Sequence, residues 1–164
     1  MGVSIDHFHA AKIGLPYQLS IFKPMFTFPT SIEIPLRFSC SQHLLGDFEL
    51  NGHPAVFLID TGASNSCMDA QLATKFGIRP AGEPLPMTGA GNEKLQATAS
   101  TKSELHYRQQ LLARLEFMLI DMQSINSAFE KQGEALIDGI LGADLLHSQA
   151  AVIDYKKKQL RLEL

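Results

Sequence analysis

The chain has 164 residues, 45% of them hydrophobic and 19% charged, with a formal net charge of −3. That length suits one domain with a real core, the composition is that of a globular protein, and the weak charge excludes a field that would favour nucleic acid or an acidic membrane surface. No run reaches the roughly 18 apolar residues of a membrane-spanning helix, and two cysteines, Cys40 and Cys67, make neither a disulfide framework nor a metal quartet.

Residues 1 to 30 carry Pro16, Pro24 and Pro29, which interrupt regular structure, and Phe22, Phe26 and Phe28, which offer grip on a surface. An irregular N-terminal arm is expected there, followed by one domain over residues 31 to 164. The start lacks a charged stretch, an apolar run and a small-residue cleavage site in series. With Cys67 reading as a buried free thiol, a cytoplasmic location is expected. His7 and His9 are the only close histidine pair, without acids or cysteines at ligand spacing, so no metal site is expected.

From Ser31 the pattern is β. Ile32, Ile34 and Leu36 alternate with other residues until Ser39 to Gln42 breaks the run. Leu44 to Leu50 and Ala55 to Ile59 flank Asn51-Gly52, a strong hairpin signal. The second of these strands, rich in residues that fit a pleated surface, ends abruptly in Asp60-Thr61-Gly62-Ala63. Gly62 lets that turn tighten, and a carboxylate at the rim of a rigid strand is better positioned than one on a loose loop. Ser66 to Met68 continues as a short strand. Asp69 then caps a helix over Ala70 to Phe76, which Gly77 and Pro80 close.

Pro84 and Pro86 fence off a second hairpin with the tip Gly89-Ala90-Gly91-Asn92 and a return strand from Lys94 to Thr101. His106 to Leu111 reads as a turn, Leu112 to Met122 as an apolar core strand, and Ser124 to Gly133 as a polar stretch with one helical turn. Ala135 to Leu141 reads as a buried strand ending at Gly142, followed by a short helix from Asp144 to Ser148. Ala150 to Tyr155 and Gln159 to Leu164 form a last hairpin, with Lys156-Lys157-Lys158 as its turn rather than a binding patch. Many short strands and one or two short helices predict an all-β fold, a small closed barrel.

Three of these segments carry a family resemblance. Asp60-Thr61-Gly62-Ala63 resembles the active-site signature of aspartic peptidases, specifically the single-lobed retropepsin-like group. Met87 to Asn92 resembles the glycine-rich flap tip of that family, and Ile140 to Leu146 its second hydrophobic-hydrophobic-Gly segment with the short helix that follows. The resemblance spans roughly Ile32 to Leu164 and implies the retropepsin-like acid protease fold and an aspartic endopeptidase. In such an enzyme two carboxyls share one proton: one activates water and the other polarises the peptide carbonyl. This chain has a single Asp-Thr-Gly. Asp138-Gly139 lacks the intervening hydroxyl residue, and Asp121, Asp144 and Asp154 have no comparable turn around them. The resemblance therefore implies a homodimer in which each copy gives one Asp60.

On the same basis Thr61 would hydrogen-bond across the dimer, and Gly62 would let the backbone approach the carboxylates and donate its N–H. Ala63 lacks the hydroxyl that some relatives carry, implying an optimum at mildly acidic or neutral pH. Thr88, Gly89, Ala90, Gly91 and Asn92 would form a lid over an extended peptide, with Asn92, where relatives often have glycine, reducing its mobility. Ile140 and Leu141 would pack beneath the catalytic turn, and Gly142 would allow two segments to cross closely. No metal or organic cofactor is implied, and the partners are a second copy and a polypeptide substrate. The alternatives are a catalytically silent barrel of this fold serving peptide binding or dimerisation, and an unrelated structural β-barrel.

Overall fold

The computed structural model describes residues 30–88 and 94–164. The irregular arm expected over residues 1 to 30 lies, but for Thr30, outside the described residues, and so do Gly89, Ala90, Gly91 and Asn92. The elements in chain order are β1 (Ser31–Phe38), β2 (Leu44–Leu50), β3 (His53–Ile59), β4 (Cys67–Asp69), a 3-10 helix (Ala70–Phe76), β5 (Leu85–Thr88), β6 (Lys94–Ala99), β7 (Ser103–Tyr107), β8 (Gln110–Leu115), β9 (Met118–Ile120), α1 (Gln123–Lys131), β10 (Gly139–Leu141), α2 (Ala143–Ser148), β11 (Val152–Asp154) and β12 (Gln159–Glu163).

β2 and β3 form the expected hairpin with Leu50 opposite His53. Asn51 and Gly52 both take left-handed backbone angles, with φ of 49° and 81°, as a two-residue hairpin turn with the twist of its strands requires. β3 is the centre of the molecule, antiparallel to β2 on one side and parallel to β10 on the other. Its side chains alternate between two cores. Phe57 and Ile59 enter the larger one with Phe48, Phe76 and Phe117, while Leu58 enters the smaller one with Leu45, Cys67 and Ile140. A strand covered on both faces reads as an unbroken apolar run, which is what Val56 to Ile59 is. Phe57 stacks on Phe117 with ring centres 5.7 Å apart and meets the edge of Phe48 at 5.9 Å.

The main strand path runs β11-β12-β1-β2-β3-β10-β4-β9-β6-β5, with β7 joined to β2 and β8 to β7. The all-β character, with few short helices, is as expected. The closed barrel is not: among the described residues the path is open, with β11 and β5 at its ends. Three local expectations also need correction. The stretch read as one strand from Leu112 to Met122 is broken, because Phe117 turns its N–H to the Ser100 hydroxyl at 2.9 Å and its carbonyl to the Ser100 N–H at 2.9 Å. β7 lies within a segment not assigned to a strand, joined to β8 by Arg108-Gln109, both left-handed without glycine (φ 46° and 65°). The polar stretch after Met122 forms α1 rather than one turn, and its Asn126 amide exchanges two hydrogen bonds with the Ile137 backbone, at 3.1 and 3.0 Å. That exchange occupies the groups Ile137 would offer a sheet, so β10 begins only at Gly139.

Candidate active site

The turn after β3 is held by backbone on both sides. The Asp60 N–H donates to the Leu141 carbonyl at 3.1 Å, extending the β3–β10 pairing by one bond. Asp60 is half-buried. The Gly62 N–H donates to its Oδ1 at 2.8 Å, and the Ala63 N–H donates to its backbone carbonyl at 3.3 Å. The chain thus curls around Asp60, with one backbone N–H on its carboxylate and one on its carbonyl. Thr61 and Gly62 are exposed, and Ala63 packs against the smaller core.

The facing segment is Ile140-Leu141-Gly142, with both apolar residues buried. A Cβ on Gly142 would lie 2.7 Å from the Ala63 carbonyl oxygen and 2.8 Å from the Asn65 carbonyl carbon and oxygen. Only glycine fits between these backbone atoms. The Ala143 N–H donates to the Ala63 carbonyl at 2.7 Å. The structure therefore brings Asp60, Gly62, Ala63 and Ile140 to Gly142 together.

Two further residues belong to this constellation and were not singled out as site residues from sequence. Ser66 is fully buried. Its N–H donates to Asp144 Oδ2 at 2.9 Å, its hydroxyl donates to Asp144 Oδ1 at 2.7 Å, and that hydroxyl accepts the Gly142 N–H at 3.0 Å. The Leu145 N–H also donates to Asp144 Oδ1, at 2.8 Å. Asp144, which lacks turn chemistry in the sequence, is thus engaged at both oxygens. The only sequence signal was a serine set against an apolar strand and an acid in the first turn of a short helix, and neither points to the other.

Cys67 follows directly. Its thiol donates to the Asn65 carbonyl at 3.4 Å. Burial, and then the carboxylates of Asp144 and Asp60, push it up to about 11, so at ordinary pH it is a neutral thiol rather than a nucleophile.

The hairpin of the proposed lid is formed by β5 and β6, with Thr88 opposite Lys94 as its last described pair. Met87 packs against the smaller core, the same one that carries Ala63, Cys67 and Ile140. β6 pairs with β9, and β9 runs parallel to β4 with Met118 opposite Cys67. The hairpin is therefore anchored through two strands to the end of the Asp60 turn. Neither of two concavities elsewhere on the chain is lined by Asp60. One of about 270 Å³ lies between Asp69 and α1, and one of about 440 Å³ lies between the 3-10 helix and β9. A carboxylate held in this way can accept a proton from water. Its acidic companion in the constellation, Asp144, already accepts three hydrogen bonds, so among the described residues this constellation offers no second free carboxyl to act as acid.

A family profile described as aspartyl protease matches residues 47–145, from β2 into α2, and takes in Asp60, the hairpin and Gly142. Among solved structures, a retropepsin-like aspartic protease from Rickettsia conorii is 19% identical, with 80% of this chain and 89% of that one covered and a TM-score of 0.50. The retroviral protease-like domain of Ddi1 from Leishmania major is 18% identical, with 73% and 87% covered and a TM-score of 0.52. Both likenesses are of fold. No curated protein matches the chain in sequence.

Proposed function

Since this chain belongs to the aspartyl protease family, we propose that it is an aspartic endopeptidase, active as a homodimer, in which Asp60 of each copy forms the catalytic pair. The observation that carries this reading is the carboxylate itself: Asp60 at the end of a doubly buried strand, with the Gly62 N–H on its Oδ1 at 2.8 Å, and the one acid beside it fully engaged. Two carboxyls brought together across a two-fold axis cannot both ionise easily, so they share a proton. The ionised one takes a proton from water, which attacks the peptide carbonyl carbon. The protonated one donates to the carbonyl oxygen. As the tetrahedral intermediate collapses, a proton passes to the leaving nitrogen and the pair is reset.

The neighbours take supporting roles. Thr61, exposed beside Asp60, reaches the partner's turn and ties the two loops. The β5–β6 hairpin, described as far as Thr88 and Lys94, serves as the lid over an extended polypeptide, excluding bulk water. The apolar bed that includes Ala63, Met87 and Ile140 receives substrate side chains. No metal or organic cofactor enters this chemistry. Cys40 and Cys67 are free thiols, which supports work in the reducing cytoplasm; among the described residues no helix is long and apolar enough to cross a membrane.

The test is cleavage of a degenerate peptide library between about pH 4 and 8 by the wild type and by Asp60→Asn. The amide preserves shape but neither takes nor gives the proton. The wild type cleaves and is blocked by pepstatin, a transition-state mimic, while the variant loses at least about 10²- to 10⁴-fold. Cleavage that persists in Asp60→Asn, or none by a confirmed wild-type dimer, overturns the reading.

A further inference from the structure

We propose that Ser66 is a positioning residue for Asp60, its hydroxyl holding the far end of the catalytic turn in register with Gly142 and Asp144. The inference rests on the proteolytic reading above. Between Asp60 and Ser66 the turn meets the segment Leu141 to Asp144 bond by bond. Leu141 accepts from Asp60 at 3.1 Å and Ala143 donates to Ala63 at 2.7 Å. Ser66 then makes three bonds, one with Gly142 and two with Asp144. Its hydroxyl is used in both directions, accepting at one side and donating at the other, with no exposure to solvent.

The packing around Gly142 explains why this link should be felt at the carboxylate. Removing the hydroxyl leaves the Gly142 N–H without its acceptor, and a buried donor in that state drives the backbone to move. Gly142 has no slack, since the Ala63 and Asn65 carbonyls stand where its Cβ would be, at 2.7 and 2.8 Å. A shift of Gly142 therefore presses on the turn whose other end is Asp60. The first two bonds of the turn survive, so substrate still binds. A misplaced catalytic group, by contrast, slows chemistry by as much as about 10²-fold for roughly 1 Å.

The experiment compares wild type, Asp60→Asn, Ser66→Ala, Ser66→Thr, Asp144→Asn and the double variant Ser66→Ala/Asp144→Asn, each assayed well below its melting temperature. Ser66→Ala lowers kcat by about 10- to 100-fold with KM within about twofold, and Ser66→Thr, which keeps the hydroxyl, recovers most of it. Asp144→Asn, whose amide cannot accept from both Ser66 donors, shows the same split. The double variant is no worse than Ser66→Ala, because both substitutions cut one link. A Ser66→Ala enzyme with kcat within about twofold of wild type overturns the proposal, as does a loss that adds up fully in the double variant. Should Ser66→Ala not fold, Asp144→Asn carries the same comparison.

The Gly62 amide resonance, whose N–H donates to Asp60, reads the turn without catalysis. It moves in Ser66→Ala and returns in Ser66→Thr. If only the Gly142 resonance moves, Ser66 is a local structural residue. An inert wild type would remove the proteolytic reading, and these resonances would still decide whether Ser66 sets the turn.

Discussion

Cys67 is 6% exposed and directly follows Ser66 on β4, close enough to Asp60 and Asp144 for both carboxylates to act on its thiol. Its ordinary value is 9.0, and burial and then the two charges push it up to about 11 in the folded chain. Between those values the unfolded chain has lost the proton and the folded chain keeps it. Stability therefore falls as pH rises through that window, by at most about 1.4 kcal/mol per pH unit. Denaturant melts from neutral to strongly alkaline pH should show this slope in the wild type and a shallower one in Cys67→Ala; equal slopes would mean the fold does not hold the proton. Asp60 was legible because a β-rich run, an acid and a glycine are adjacent. Ser66 and Asp144 were not, because their bond joins positions 78 apart and each looks ordinary in its own neighbourhood.

Asn51 shows how much one turn residue gathers at the scale of elements. Its Nδ2 donates to the Phe76 carbonyl at the end of the 3-10 helix at 2.8 Å, and its Oδ1 accepts the Glu104 N–H of β7 at 2.8 Å. Its own N–H donates to the Glu104 carbonyl at 2.9 Å. Asn51→Ala removes two side-chain bonds and places a Cβ residue without an amide at φ 49°. It should lower unfolding stability by about 2 kcal/mol or more, read as a lower urea midpoint at unchanged slope. A loss below about 0.5 kcal/mol would mean that the turn does not join these elements. The Asn51-Gly52 turn, the Asp69 cap and the Gly77 stop were all readable, because each acts within a few residues. Asp69 accepts the Gln71 N–H at 3.0 Å, and Gly77 takes φ 65°. The turn at Arg108-Gln109 falls within the stretch read as a turn, His106 to Leu111, but its left-handed form was not readable, since neither residue favours that region. The length of α1 was hidden too, because its inward side chains, Asn126 and Phe129, include a polar one satisfied only by distant Ile137.

At the scale of the whole molecule, alternation along a strand told which face is buried but not which strands meet, so the sheet was expected to close and is open instead. The same limit applies to the site. One chain carries one carboxylate on the Asp60 turn, and the proposed chemistry needs two, contributed by like surfaces across a two-fold axis. Mixing wild type with Asp60→Asn tests this directly, once subunits have exchanged. If each active centre needs an intact Asp60 from both chains, an equal mixture leaves about a quarter of dimers fully wild type, and activity per wild-type chain falls to about half. It should continue towards zero as the variant is added in excess. The measurement to make is therefore peptide cleavage at fixed wild-type concentration against increasing Asp60→Asn. A fall that follows the fraction of wild-type pairs is expected, and activity that stays flat would contradict a shared active site.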